Sequence, residues 1–137
     1  MTSRASAEEV SIRSGDDVSR ARQLVRAAAQ TARLSLVDQT KLVTAASELA
    51  RNAFIHGRAS GTARVELVEA GGRTGVRAVF SDEGPGIPDL DLALTDGYTT
   101  GTGLGLGLGG SRRLVDEFRV DTDPGRGTTV TVVKWSR

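Results

Sequence analysis

The feature that most restricts how this chain can fold is a glycine-rich segment near residue 100. Six of the ten residues from Gly101 to Gly110 are glycine, and three of the others are leucine. Glycine loses more backbone entropy on ordering than any other residue, so the segment favours neither a packed helix nor a strand. Consecutive backbone N–H groups without obstructing side chains are typical of phosphate-binding loops. We interpret the segment as a mobile, phosphate-facing lid whose leucines pack against the domain when it closes.

Composition indicates one domain in a reducing compartment. The 137 residues suffice for a single domain, 1–137, with a buried core. With 18 basic and 17 acidic side chains the net charge is +1, so neither nucleic acid nor a membrane surface is indicated as a partner. The chain has no cysteine, which excludes a disulfide scaffold and suits the cytosol. We therefore expect a cytoplasmic protein.

Hydrophobic periodicity alternates between strand and helix patterns. Asp16 and Asp17 can cap the first helical stripe, and Gly57 is a good terminator for the second. The pattern predicts strands at 10–12, 64–67, 76–80, 118–122 and 128–135, and helices at about 16–34, 38–56 and 110–118. This order indicates an α+β fold, a two-layer sandwich of mostly antiparallel sheet with the helices on one face.

Glu48 and Asn52 lie four residues apart on the predicted middle helix, so their side chains are neighbours. The amide oxygen can bind Mg²⁺, which shares its coordination sphere with phosphate, and the carboxylate can accept a proton from a hydroxyl. The alternative is a solvated helix face, and on this helix alone it is favoured. His56 lies four residues after Asn52, so the three side chains form one polar column along the helix. His56 either stabilises the helix end or stacks on a base.

The turn after the third predicted strand can recognise an amino group. Asp82 ends the strand as an acceptor, and Gly84 and Gly86 let a flat ring approach the backbone. The alternative is an ordinary turn, because aspartate, glycine and proline are turn formers.

Several common catalytic patterns are excluded. The glycine-rich segment has no lysine for a Walker A loop. Gly105, Gly107 and Gly110 match a dinucleotide-binding spacing, but no strand precedes them and too little chain follows. Protein-kinase signatures are absent, and a single histidine excludes most catalytic triads.

Three motifs in order resemble the N, G1 and G2 boxes of the ATPase superfamily shared by gyrase, heat-shock chaperones, histidine kinases and mismatch-repair proteins. They are Glu48-x-x-x-Asn52, Asp82-x-Gly-x-Gly86 and the glycine-rich segment. Within that superfamily the chain resembles the small anti-sigma serine/threonine kinases of the stressosome switch type, also at 96–100, 113–118 and 133–135. The resemblance implies a Bergerat-type ATP-binding fold with a mobile ATP lid at about 84–110.

The resemblance also implies roles for individual residues. Glu48 would be the catalytic base that accepts the proton of a substrate hydroxyl, and Asn52 would bind Mg²⁺. Asp82 would hold the adenine amino group, with Thr128 as a water-mediated second contact. The implied ATP contacts are Asn52, His56, Asp82, Gly84, Gly86, Ile87, Gly101, Thr102, Gly103, Leu104, Gly105, Leu106, Gly107 and Thr128.

By the same resemblance, the chain would phosphorylate STAS-domain antagonist and scaffold proteins. Once released, it would activate a PP2C-type phosphatase upstream of an alternative sigma factor. One alternative is an anti-sigma factor that binds a sigma factor directly and phosphorylates its antagonist. Another is a nucleotide-binding adaptor with negligible turnover. Related kinases dimerise through their first strand, which makes a homodimer a further expectation.

The sequence departs from the family it resembles in the charge of the predicted lid. From Asp82 through Ser111 the sequence contains no lysine, arginine or histidine, so the predicted lid carries no cation. Relatives often place a basic residue there. We expect Mg²⁺, the start of a helix near Gly110 and Arg112 to balance the γ-phosphate charge instead.

Overall fold

Five antiparallel strands and four helices make up the structure, a computed structural model that describes residues 7–57, 60–87, 90–94, 107–123 and 125–137. The elements are β1 (Glu8–Ile12), α1 (Gly15–Thr31), α2 (Leu36–His56), β2 (Gly61–Ala70), β3 (Arg73–Asp82), α3 (Leu90–Ala93), α4 (Gly107–Arg112), β4 (Glu117–Asp123) and β5 (Gly127–Trp135). The strands form one sheet in the order β1-β2-β3-β5-β4. With α1 and α2 packed together on one side of it, the predicted α+β sandwich is confirmed.

The core lies between the sheet and the two long helices. Strand register places Ala63, Phe80 and Val130 side by side on one face, and none is more than 5% exposed. From α2, Leu42 and Leu49 meet this face and are equally buried. Because each large buried apolar side chain contributes about 1.5–3 kcal/mol, this layer holds α2 firmly over the middle of the sheet. Among the described residues, no helix is long and apolar enough to span a membrane.

Serine side chains cap both long helices, so the prediction that Asp16 and Asp17 cap the first one is wrong. Ser14 Oγ accepts a hydrogen bond from the Asp17 N–H (3.3 Å), and the Asp17 carboxylate accepts one from the Arg13 N–H (3.0 Å). This nearly reciprocal arrangement resembles a capping box. Ser35 likewise caps α2 through the Asp38 N–H (3.1 Å), so that helix begins two residues earlier than predicted.

The glycine-rich segment enters the described part of the chain at Gly107, where α4 begins. Leu108 is 8% exposed and belongs to the core, as expected for a leucine on the inner side of the segment. Leu104 and Leu106 lie outside the described residues.

The predicted third helix at 110–118 is wrong at both ends. Glycine is a poor helix former, but α4 packs against α2, and its small residues Gly107, Gly109 and Ser111 are buried. Tertiary contact thus overrides propensity at the start of this helix. At the other end, α4 stops at Arg112, and Phe118 belongs to β4, where it pairs with Val132 of β5. Phe118 packs against the core on the same face of the sheet as Val132.

Arg33 has a φ of 63°, the left-handed conformation that glycine adopts most easily. It ends α1, with its own N–H donating to Gln30 O and the next N–H, that of Leu34, donating to Ala29 O, both at 3.0 Å. A side chain in this conformation costs about 1 kcal/mol. We expect Arg33→Gly to raise the free energy of unfolding by up to about 1 kcal/mol in chemical denaturation. Arg33→Ala should bring no gain, and equal stability of the two variants would contradict this account.

A buried ionic network joins β5 to the start of α2. Lys134 is 4% exposed, and its Nζ lies 3.6 Å from both Asp38 Oδ1 and Asp116 Oδ1. Arg137 contacts the same two carboxylates from the surface. The network fixes the end of α2 that lies about three turns before Glu48.

Acid should weaken this network through Asp116. Burial raises the pKa of its carboxyl, but the Trp135 N–H and the cations of Lys134 and Arg137 together bring the pKa below its ordinary value. A lowered folded-state pKa stabilises the fold above the ordinary pKa of about 3.9, and this stabilisation is lost as the pH falls through the lowered value. We therefore expect the free energy of unfolding to fall less steeply with decreasing pH in Asp116→Asn than in wild type. Urea denaturation from neutral pH downwards measures both slopes. Identical slopes would contradict the assignment.

Candidate functional site

A cavity of about 380 Å³ opens between the C-terminal half of α2, the end of β3 and the start of α4. It brings together residues that are far apart in the sequence. The predicted site residues on its wall are Glu48, Asn52, His56, Asp82, Gly86, Ile87, Gly107 and Thr128. One concave site therefore holds parts of all three predicted motifs.

The remaining predicted residues fall into two groups. Gly84 is buried behind the wall, where it contacts Asp82 without lining the cavity. The lid residues Gly101, Thr102, Gly103, Leu104, Gly105 and Leu106 lie outside the described residues.

Exposure changes steadily along the polar column of α2. Glu48 is 2% exposed, Asn52 is half-buried and His56 is exposed. The alternative of a solvated surface is therefore wrong for Glu48. Glu48 and Asn52 line a cavity together with Gly107 and Leu108 of α4, so this side of α2 is not the free surface that the alternative required. The carboxylate is a buried group at the wall of a cavity, where it can meet a ligand.

Asp82 presents its carboxylate at the end of β3. Its Oδ1 accepts a hydrogen bond from the Gly84 N–H at 2.9 Å. Burial raises the pKa of this carboxyl, and the raise is only partly offset by that hydrogen bond, the nearby His56 and the Thr128 backbone. A half-buried acceptor of this kind, reachable from the cavity, suits a ligand with an amino group.

Three glycines allow the backbone to close tightly around Asp82. A Cβ atom at Gly57 would collide with Ala53 O and with the Asp82 side chain, and one at Gly127 would collide with Asp82 O. A Cβ at Gly84 would collide with His56 O. Gly57 ends α2 as predicted, but its φ is −82°, so close approach and not a left-handed turn requires glycine there.

Sequence reasoning missed the apolar half of the cavity. Its wall includes Leu49, Ala53, Phe80, Pro85, Leu92, Ala93, Leu108 and Val130. Apolar residues carry no chemical signature, since the same types fill every core. Because the same wall carries the Asp82 carboxylate, the apolar part makes a slot that suits a flat ring with a polar edge.

The polar residues of the cavity fit Mg²⁺ only when a ligand completes its coordination. Among the described residues, no group of three or more acidic or histidine side chains could hold a metal ion. Glu48 and Asn52 nevertheless supply two side chains with oxygen donors on the wall. Since Mg²⁺ commonly binds through one or two protein oxygens plus phosphate and water, this donor set fits an ion that arrives with a nucleotide.

Comparison with known proteins gives a consistent result. The family described as histidine kinase-, DNA gyrase B-, and HSP90-like ATPase matches residues 37–136. The chain is 41% identical over 121 residues to the serine/threonine-protein kinase RsbT of Bacillus subtilis, covering 88% of this chain and 90% of that protein. It is 30% identical over 124 residues to an anti-sigma F factor of a Thermoanaerobacter species, covering 84% and 82%.

Solved structures share the fold. The RsbU and RsbW domains of a Mycobacterium tuberculosis protein superpose with a TM-score of 0.67 at 22% identity, covering 96% of this chain and 33% of that one. The mycobacterial sensor histidine kinase MprB gives a TM-score of 0.55 at 28% identity, covering 72% of each chain.

Proposed function

Because the chain belongs to the histidine kinase-, DNA gyrase B- and HSP90-like ATPases, and among them to the RsbT-type serine/threonine kinases, we propose that it transfers the γ-phosphate of ATP to a serine or threonine of a STAS-domain protein. The observation that supports this most strongly is the shared cavity. It places a buried carboxylate, Glu48, and an amide, Asn52, on the same wall as the candidate adenine acceptor Asp82.

In this proposal each part of the cavity has one task. The apolar slot holds the adenine ring, and Asp82 accepts a hydrogen bond from the adenine amino group. Asn52 would hold the Mg²⁺ that accompanies the phosphates, and the ion would supply positive charge for their oxygens. Glu48 accepts the proton of the attacking hydroxyl, so that the oxygen forms a bond to the γ-phosphorus as the bond to ADP breaks. The backbone N–H groups of the lid, about 101–109, bind the β- and γ-phosphates.

A transfer assay tests the proposal. The protein is incubated with γ-labelled ATP, Mg²⁺ and each purified STAS-domain protein of its own organism, and with matched partners whose candidate serines and threonines are alanine. We expect label on the intact partner and none on the alanine version. Absence of label from every partner would overturn the kinase function.

The second part of the proposal is that the kinase, once released from its partner proteins, activates a PP2C-type phosphatase. The purified chain should raise the phosphatase's rate on a phosphorylated STAS protein, and addition of the unphosphorylated STAS protein should reverse the increase. An unchanged rate would remove the phosphatase as a partner.

The similarity to anti-sigma F factors supports one alternative, direct binding of a sigma factor. A pull-down with purified sigma factors, with and without ATP, separates the two functions. Stable capture of a sigma factor would favour the alternative, whereas capture of STAS proteins alone favours the switch kinase.

A further inference from the structure

Two hydrogen bonds tie the loop after β3 to the hairpin between β4 and β5. The Ile87 N–H donates to Thr122 Oγ1 at 2.8 Å, across 35 positions of sequence. The Gly125 N–H donates to Pro85 O, also at 2.8 Å. Pro85 and Ile87 both line the cavity, so the hairpin holds the part of the wall where the predicted lid, about 84–110, begins.

Thr122 makes further contacts on the same side of the sheet. Its Oγ1 lies 3.0 Å from Thr128 Oγ1 and 3.4 Å from Gly127 O. Strand register pairs Thr122 with Thr128, and Thr128 with Asp82. The three side chains therefore form a row across β4, β5 and β3 that ends at the candidate adenine acceptor.

Thr122 is not one of the residues that line the cavity, but it contacts two that are, Ile87 and Thr128. Its hydroxyl oxygen accepts the Ile87 N–H while its single proton is shared with Thr128 or Gly127. Without that hydroxyl, the Ile87 N–H would lose its acceptor in a half-buried position, and the Thr128 hydroxyl would lose the neighbour that restricts its rotation.

We propose that Thr122 is a positioning residue of the adenine pocket, which sets the Ile87 backbone and the Thr128 hydroxyl for recognition of the base. This inference rests on the proposed ATP-binding function and deepens it. It makes selectivity for adenine depend on a residue that need not touch the nucleotide.

The test compares four proteins by isothermal titration with ATP and with GTP. They are wild type, Thr122→Val, Thr122→Ser and the matched control Thr129→Val. Thr129 is a neighbour of Thr128 on β5, and its Oγ1 lies 3.2 Å from Ser81 Oγ on the other face of the sheet. Both valine variants remove one part-buried hydroxyl from the same hairpin, so loss of a threonine hydroxyl as such is controlled.

We expect Thr122→Val to weaken ATP binding about tenfold, because the Ile87 backbone and the Thr128 hydroxyl would no longer be held where they meet the base. Its ratio of ATP to GTP affinity should fall, whereas a general loss of folding would weaken both nucleotides alike. Thr122→Ser should restore wild-type values, and Thr129→Val should match wild type. If Thr122→Val does not fold, Thr122→Ala takes its place beside the serine variant.

Two results would overturn the inference in distinguishable ways. Wild-type ATP affinity and selectivity in Thr122→Val, or an equal loss in Thr129→Val, would remove the positioning role alone. A wild-type protein that binds no ATP would overturn the proposed function together with this inference.

Discussion

Replacement of Glu48 by glutamine is expected to lower the rate of phosphoryl transfer by about 10²–10⁴-fold, while ATP affinity stays within about threefold of wild type. The variant keeps the size and shape of a side chain that is 2% exposed, and it replaces a carboxylate that can accept a proton with a neutral amide that cannot. Single-turnover transfer to the STAS partner measures the rate, and isothermal titration measures ATP binding.

Glu66 provides the matched control for this prediction. It is also buried (9% exposed), but it lies in β2, does not line the cavity and forms an ion pair with Arg77. Glu66→Gln should lose stability and keep its transfer rate. Loss of ATP affinity in Glu48→Gln would show a structural role, and an undiminished rate would remove the assignment as base.

Replacement of Asp82 by asparagine is expected to weaken ATP binding by one to two orders of magnitude. A hydrogen bond to a charged group contributes about 1.5–3 kcal/mol, and the asparagine amide would place a donor where the adenine amino group also donates. GTP, which has no amino group at that ring position, should lose much less affinity. Titration of both nucleotides measures the difference.

The control for Asp82 is Asp121→Asn, which changes an exposed carboxylate on β4, the strand at the edge of the same sheet. It should bind ATP as wild type does. An unchanged dissociation constant in Asp82→Asn would remove the adenine assignment, and an equal loss for ATP and GTP would indicate a folding defect.

Much of the fold could be predicted because its signals are local. Alternating residues around Val76 and Val130, and the apolar stripe through Leu42 and Leu49, specify strands and helix by their own spacing. The end of α2 at Gly57 could also be predicted, although the physical reason is the close approach of Asp82.

The features that sequence reasoning missed depend on contacts between distant segments. Glu48 is buried at a cavity whose wall also includes Gly107 and Leu108 of α4, and α4 itself begins among glycines that favour no helix. Thr122 of β4 meets Ile87 in the loop after β3, although β5 lies between these two strands in the sheet. Neither relation has a periodic signature in the chain.

The most direct test of the central claim is phosphoserine or phosphothreonine on a STAS partner, measured by mass spectrometry after incubation with ATP and Mg²⁺ and either wild type or Glu48→Gln. The account predicts one modified site with wild type and almost none with the variant, although both bind ATP. Equal modification by the two proteins, or none by wild type, would contradict it.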